Sequence, residues 1–77
     1  MSNTDEGMVR QGTRTNTVIE AIQRKINSRA LKPGEKLPSI RGFAATMQVS
    51  PSTVVEAYDR LAADGTIYAR RGAGFYV

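Results

Sequence analysis

Cysteine and histidine are both missing from this 77-residue chain. Without cysteine, neither a disulfide nor a thiolate metal site can form, and nothing marks the redox compartment. Without histidine, ordinary zinc sites and histidine acid–base chemistry are excluded as well. Long apolar runs are also missing: none approaches the roughly 18 residues of a membrane span, and the polar N-terminus has no secretory signal. We therefore expect a cytoplasmic protein that does not enter a membrane.

The chain has fewer acidic than basic residues. Eleven lysines and arginines stand against seven aspartates and glutamates, which gives a net charge of +4 and a pI near 10.0. The charges of residues 1–16 cancel, so the whole excess lies in residues 17–77. A basic domain is compatible with a polyanionic partner, although surface charge that only maintains solubility would give the same composition. The length allows one small domain with one modest core.

Residues 38–61 predict two helices that meet at a tight turn over residues 48–50. Serines at positions 39 and 50 are the expected N-caps, and Pro51 suits the first helical position because it needs no amide partner. The turn is too short for antiparallel helices, so a steeply crossed helix-turn-helix is predicted. The apolar faces have helical spacing and consist of Ile40, Phe43, Ala44 and Met47, then Val54, Ala57, Tyr58 and Leu61.

A first helix is predicted before this pair. Thr17 and Glu20 have the spacing of a capping box, so the helix should begin at Thr17 and run to about Arg29. Pro33 and Gly34 then predict a type II turn.

A β-hairpin is predicted after the pair, with Gly65 as the left-handed cap that ends the preceding helix. Residues 66–70 and 75–77 read as strands around a turn at 71–74, with residues 36–37 as a third extended segment. Ile67, Phe75 and Val77 should pack on the helices.

The predicted fold is mainly α with a small β-hairpin: a winged helix-turn-helix of three helices plus a two- to three-stranded antiparallel wing. Residues 1–14, rich in Ser, Asn, Thr, Gly and Gln, are expected to form a flexible N-terminal arm, and residues 15–77 the winged-helix domain. Because the chain ends at Val77 inside a predicted strand, we expect it to be an excised domain of a longer protein.

Several short motifs follow one another between residues 30 and 77. They are Leu31-Lys-Pro-Gly-Glu-Lys-Leu-Pro-Ser39, Arg41, Val49-Ser50, Thr53-Val54, Glu56-Ala57, Arg60-Leu61, Asp64-Gly65 and Arg71-Gly72-Ala-Gly74-Phe75. On these motifs the segment resembles the N-terminal DNA-binding domain of GntR-family transcriptional regulators. Residues 53–61 and 72–77 most resemble the MocR-type branch, which is fused to an aminotransferase-like, pyridoxal-phosphate-binding domain. A short member with a small C-terminal dimerisation arm is the alternative.

The resemblance implies sequence-specific binding of double-stranded DNA by a bacterial transcriptional regulator. Arg41 aligns with an arginine that reaches the major groove, where a guanidinium can bind guanine O6 and N7 or clamp a phosphate. The alternative for Arg41 is a surface ion pair with Glu56. Ser50, Ser52 and Thr53 align with positions at the start of the recognition helix that contact the backbone or base edges. Their alternative role is helix capping alone.

Arg71 and Gly72 align with the tip of the wing, which in the family enters the minor groove, and Arg70 stands beside them. Arginine favours a narrow, electronegative minor groove, and glycine lets the backbone approach. The alternative is that Arg70 and Arg71 merely belong to a solvated turn.

The chain also departs from the family pattern. Pro51 and Val55 stand where many members have arginines, and Gly42 replaces a usual helix former. The recognition helix is net acidic, so we expect weaker DNA binding than is usual for the family. Its charged residues are Glu56, Asp59, Arg60 and Asp64.

Two other function classes compete with DNA binding. A winged helix can serve as a protein–protein interaction module without nucleic acid. An enzyme is disfavoured, because the carboxylates fall on helix surfaces or turns with no pocket implied. We expect no catalytic residue, metal site or cofactor in this chain, although pyridoxal phosphate or another effector could bind in a C-terminal domain. The resemblance implies a homodimeric full-length protein, and we expect the isolated domain to be monomeric.

Overall fold

The computed structural model describes the backbone of residues 2–77 and the side chains of residues 14–77. Over this range the elements are α1 (Ser2–Asn27), α2 (Ile40–Met47), α3 (Pro51–Ala63), β1 (Tyr68–Arg70) and β2 (Gly74–Tyr76). This order is the predicted winged helix-turn-helix. The expected flexible arm lies, apart from Arg14, outside the described side chains, and it stays a prediction.

The predicted start of the first helix at Thr17 is wrong. Residues 14–16 are already helical, so Thr17 lies inside α1 and does not cap it. Thr15, two residues before the expected cap, is only 6% exposed, and its hydroxyl donates to a carboxylate oxygen of Glu56 in α3 at 3.3 Å. This contact with α3 stabilises the helical turn that precedes Thr17.

The core lies where α1, α2 and the base of the hairpin pack on α3. Burying a large aliphatic or aromatic side chain contributes about 1.5–3 kcal/mol, so a few such residues dominate the stability of a domain this small. The predicted apolar faces are confirmed, except that Ile40 and Met47 are only partly buried. The buried apolar residues are Val18, Ile22, Leu31, Leu37, Phe43, Ala44, Val54, Ala57, Tyr58, Leu61 and Ile67.

The turn between α2 and α3 follows the predicted chemistry. Gln48 takes a left-handed conformation with φ 59°, and its amide donates back to Ala44 and Ala45. The Val49 amide donates to the Ala44 carbonyl at 3.0 Å, which closes the last turn of α2. Ser50 then caps α3, so only residues 48–50 separate the two helices.

The wing is a three-part antiparallel assembly built on the hairpin. Tyr68 pairs with Tyr76 and Ala69 with Phe75, and Lys36 forms a bridge to Tyr76 from the other side. The Leu37 amide donates to Phe75 at 2.8 Å, which confirms the extended segment at residues 36–37 as a partner of the hairpin.

The first strand is shorter than the predicted range of 66–70. The amides of Thr66 and Ile67 both donate to the carbonyl of Leu61, at 3.0 and 3.4 Å, and so close the end of α3 instead of joining the ladder. Gly65 has φ 81°, which confirms it as the left-handed residue that ends this helix. The predicted turn at residues 32–35 is also confirmed, with φ 86° at Gly34.

Candidate nucleic-acid interface

Three hydroxyl groups converge at the start of α3. The Ser50 Oγ atom lies 3.1 Å from the Ser52 Oγ atom and 3.0 Å from the Thr53 Oγ1 atom, and it accepts the Thr53 amide at 3.4 Å. Ser50 and Ser52 are exposed. The predicted capping role of Ser50 is therefore confirmed, and Ser52 and Thr53 join it in one polar cluster. The Ser52 amide, at the second helical position, is one of the N–H groups that helix geometry leaves unpaired.

Arg41 is exposed on the first turn of α2, directly after the capping residue Ser39 and Ile40. The alternative interpretation, an ion pair with Glu56, does not hold. Glu56 instead accepts from the Arg60 guanidinium at 3.0 Å, one helical turn along α3. Among residues 14–77, Arg41 is in no ion pair. Its side chain is thus available to a partner in solution.

The tip of the wing is the turn that joins β1 to β2. The Ala73 amide donates to the Arg70 carbonyl at 2.9 Å and closes the turn around Arg71 and Gly72, both exposed. Gly72 has φ 75°, a conformation that a residue with a Cβ atom rarely adopts. The predicted turn is confirmed for residues 71–73, whereas Gly74, predicted as its last residue, already pairs with Arg70 in β2. The turn presents the Arg71 side chain at the outer end of the hairpin.

The wing turn and the start of α2 border the same open cleft. The cleft has a volume of about 280 Å³ and contains no carboxylate. Its lining residues are Lys36, Leu37, Pro38, Ser39, Ile40, Tyr58, Gly72, Ala73, Gly74 and Phe75. The structure therefore brings Gly72 close to the segment that leads into Arg41, although these residues are far apart in the sequence.

Tyr58 joins the three elements that surround this cleft. From α3, its ring packs on Phe43 of α2, with centroids 6.4 Å apart, and meets Phe75 of β2 edge-on at 5.2 Å. Its hydroxyl donates to the Pro38 carbonyl at 2.9 Å, just before α2 begins. Burial raises the pKa of Tyr58 to about 12, because the phenolate would lose its hydration.

Three side chains of the wing, those of Tyr68, Arg70 and Tyr76, form a stacked group that the sequence analysis did not predict. The Arg70 guanidinium lies over the Tyr76 ring at 5.3 Å, and the Tyr76 ring stacks on Tyr68 at 6.0 Å. Tyr68 and Arg70 share a face of β1 because side chains alternate along a strand. Their spacing of two residues in a predicted strand was the sequence signal that could have predicted this group. Arg70 is thus held along the outer face of the wing, whereas Arg71 stands at its tip.

Residues 14–77 match the model of the bacterial regulatory proteins of the gntR family. The chain belongs to the GntR family. Among its relatives, the HTH-type transcriptional repressor YtrA of Bacillus subtilis is 37% identical over 60 residues, which are 78% of this chain and 46% of YtrA. The HTH-type pyridoxine biosynthesis transcriptional regulator PdxR of Corynebacterium glutamicum, a MocR-type member, is 42% identical over 57 residues. These are 74% of this chain but 13% of PdxR.

A solved structure of the GntR type extends the likeness to three dimensions. The DNA-binding domain of AraR, crystallised in complex with an operator, matches with a TM-score of 0.79 and 28% identity over 83% of this chain and 77% of that chain. Residues 14–77 are accordingly the DNA-binding domain of a GntR-family transcriptional regulator. The chain spans less than half the length of YtrA and a small part of PdxR, so both predicted branches, short and long, occur among its relatives.

Within the described residues, no helix is long and apolar enough to cross a membrane, and no group of three or more acidic side chains could hold a metal ion.

Proposed function

We propose that this domain recognises specific sites in duplex DNA through the start of α3, through Arg41 and through the wing. α3 enters the major groove with its N-terminal end, Arg41 contacts the DNA beside it, and the wing follows the backbone into the minor groove. The observation that carries the proposal is the shared cleft between the wing turn and the start of α2, because it brings the wing tip and the segment before Arg41 to one side of the domain.

At the start of α3, the hydroxyl cluster suits a phosphate or a base edge. Each hydroxyl of Ser50, Ser52 and Thr53 can donate or accept, so the cluster can turn a proton toward an incoming oxygen without losing all of its internal hydrogen bonds. The unpaired amide and the partial positive charge of the helix start also favour an anion.

Arg41 supplies the directional contact. Because Glu56 is occupied by Arg60, the Arg41 guanidinium does not have to break an ion pair with that carboxylate before it binds DNA. A guanidinium can contact guanine O6 and N7 together, and this paired contact discriminates among bases.

The wing supplies charge at the minor groove. Arg71 and Gly72 form its tip, and the small Gly72 allows the backbone to approach the DNA. Arg70 lies along the outer face, where it can neutralise a phosphate at the groove edge.

The same proposal covers the whole protein. The regulator acts in the cytoplasm as a homodimer that pairs two such domains over repeated half-sites, while a single domain is monomeric. An effector, pyridoxal phosphate in the MocR-type case, binds outside residues 14–77. The domain itself binds DNA without chemical catalysis. The two relatives of different length, both named as transcriptional regulators, support a regulatory role for the whole protein.

Selection of bound sites from a random duplex pool with the chain at physiological salt tests the proposal. The recovered duplex is then titrated by fluorescence anisotropy at several salt concentrations. We expect one enriched sequence motif and a log–log slope of affinity against salt of several units, since each neutralised phosphate contributes about 0.9. No enrichment would refute the proposal. A binding signal that persists unchanged as salt rises would indicate a protein-interaction surface instead.

A further inference from the structure

The recognition helix carries an exposed apolar side chain, Val55, in its first half. Val55 is 39% exposed, and among the described residues only it and Tyr68 are large apolar side chains exposed to this degree. Tyr68 has a stacking partner in Tyr76, whereas Val55 is not among the residues packed against the core.

The position of Val55 around α3 places it beside the proposed DNA contacts. Glu56 marks the edge of α3 that faces α1, because it accepts from Thr15. Tyr58 marks the edge that faces the wing, because its ring meets Phe75. With about 100° per residue, Val55 lies about 60° from Tyr58 and about 100° from Glu56. It is therefore exposed on the wing side of α3.

The neighbours of Val55 one helical turn away on α3 are Pro51 before it and the acidic Asp59 after it, and neither is a cation. Pro51 is exposed one turn earlier, with its Cβ atom about 5–6 Å away at the usual i, i+4 spacing. Between Arg41 and Arg60 the chain has no lysine or arginine, so no cation on this half of α3 can read guanine.

We infer that Val55 is a specificity-determining residue that contacts the C5-methyl group of thymine in the major groove. The inference rests on the proposed function, which brings the start of α3 into that groove. The thymine methyl is the apolar group that the floor of the major groove presents, and small apolar side chains are its usual contacts. Contact removes both the methyl group and the isopropyl group of Val55 from water, which is the driving force for recognition.

The test removes one methyl group at a time from the DNA. In the selected duplex, each thymine is replaced in turn by uracil, which lacks the methyl group but keeps every hydrogen-bonding atom. We expect one or two positions at which uracil weakens binding about threefold to fivefold, the value of one buried methyl group. At the same positions a cytosine should bind better when it is 5-methylated.

Variants of the protein assign this effect to Val55. In Val55→Ala, the ratio of the dissociation constants for uracil and thymine duplexes should fall to about one, because the contacting methyl groups are gone. Val55→Thr keeps one methyl group and the branched shape, so it should retain part of the ratio. Ser52→Ala is the matched control on the same helix start: it should weaken both duplexes and leave the ratio at its wild-type value.

The outcomes separate this inference from the proposed function. A chain that selects no duplex refutes both. If the chain binds its selected duplex but tolerates uracil at every position, the inference about Val55 is refuted and the proposed function stands. An unchanged ratio in Val55→Ala would also refute the inference, because the methyl group would then be recognised by another residue.

Discussion

A Cβ atom added at Gly42 would lie 2.8 Å from the hydroxyl oxygen of Ser39. That oxygen accepts the Gly42 amide at 3.0 Å and caps α2. A glycine inside a helix costs about 1 kcal/mol relative to alanine, so its presence in a helix as short as α2 calls for a reason. The close approach of the capping hydroxyl supplies one, because a Cβ atom at position 42 would require that hydroxyl to shift.

Gly42→Ala should therefore change the free energy of unfolding very little. The gain in helix propensity is about 1 kcal/mol, and the shift of the Ser39 hydroxyl offsets it by weakening a cap worth about the same. In a Ser39→Ala background there is no hydroxyl to displace, so the same Gly42→Ala change should stabilise the domain by about 1 kcal/mol. Urea unfolding of the four proteins measures the cycle. A full stabilisation in the presence of Ser39 would contradict the steric explanation.

Tyr58→Phe should lower the free energy of unfolding by about 1 kcal/mol, since it removes the hydrogen bond to the Pro38 carbonyl. The ring remains, so its contacts with Phe43 and Phe75 should be kept. Chemical denaturation near neutral pH measures the loss, and a variant as stable as the wild type would show that water replaces the hydroxyl at no cost.

The same tyrosine should make stability depend on pH in the alkaline range. Burial raises the pKa of Tyr58 from 10.0 to about 12, so between these values the unfolded chain loses its phenolic proton while the folded chain keeps it. Its contribution is fully present below pH 10 and is lost as the pH rises toward 12, at up to about 1.4 kcal/mol per unit. The advantage of the wild type over Tyr58→Phe, about 1 kcal/mol near neutral pH, should therefore vanish and then reverse in sign over this window. A difference that stays constant would mean that the phenolate is readily hydrated in the folded domain.

Arg41→Ala should weaken binding to the selected duplex by about 1–3 kcal/mol and relax discrimination at one base position. Stability should stay within about 0.5 kcal/mol, because the side chain is exposed. The matched control is Arg24→Ala, in the last turn of α1, which removes the same charge at a residue outside the proposed contacts. Anisotropy titrations on the selected duplex and on single-base variants give both quantities. Equal losses of binding free energy for the two variants would mean that Arg41 contributes only nonspecific electrostatic attraction.

Replacing Arg70 and Arg71 together by alanine should lower the salt slope of binding by about two units, because two phosphates would no longer be neutralised. The Arg24→Ala control should leave the slope close to that of the wild type. Titrations at four or more salt concentrations determine the slopes. An unaltered slope in the double variant would place the wing away from the DNA.

The helix-turn-helix could be predicted because its deciding features are local. The apolar spacing from Ile40 to Leu61, the two capping serines and the proline after Ser50 all act within one or two helical turns, and each of them has its expected place in the structure. The turn at Gly34 belongs to the same class.

The features that could not be predicted depend on residues distant in the sequence. α1 starts before Thr17 while Thr15 meets Glu56 across the domain, and no local pattern announces that contact. β1 begins only at Tyr68, because the Thr66 amide donates to the Leu61 carbonyl at the end of α3. The ion pair of Glu56 with Arg60 is different, because its i, i+4 spacing on α3 is a local signal that the sequence already contained.

The cation-free stretch between Arg41 and Arg60 has a consequence for how such a regulator finds its operator. Attraction to arbitrary sequence comes almost entirely from cations near phosphates, and the part of α3 before Arg60, which enters the groove, contributes none. The domain should therefore reside only briefly on random chromosomal DNA, and its search should proceed by frequent release and rebinding more than by sliding. Lasting occupancy would then require two linked domains on adjacent half-sites, each raising the local concentration of the other.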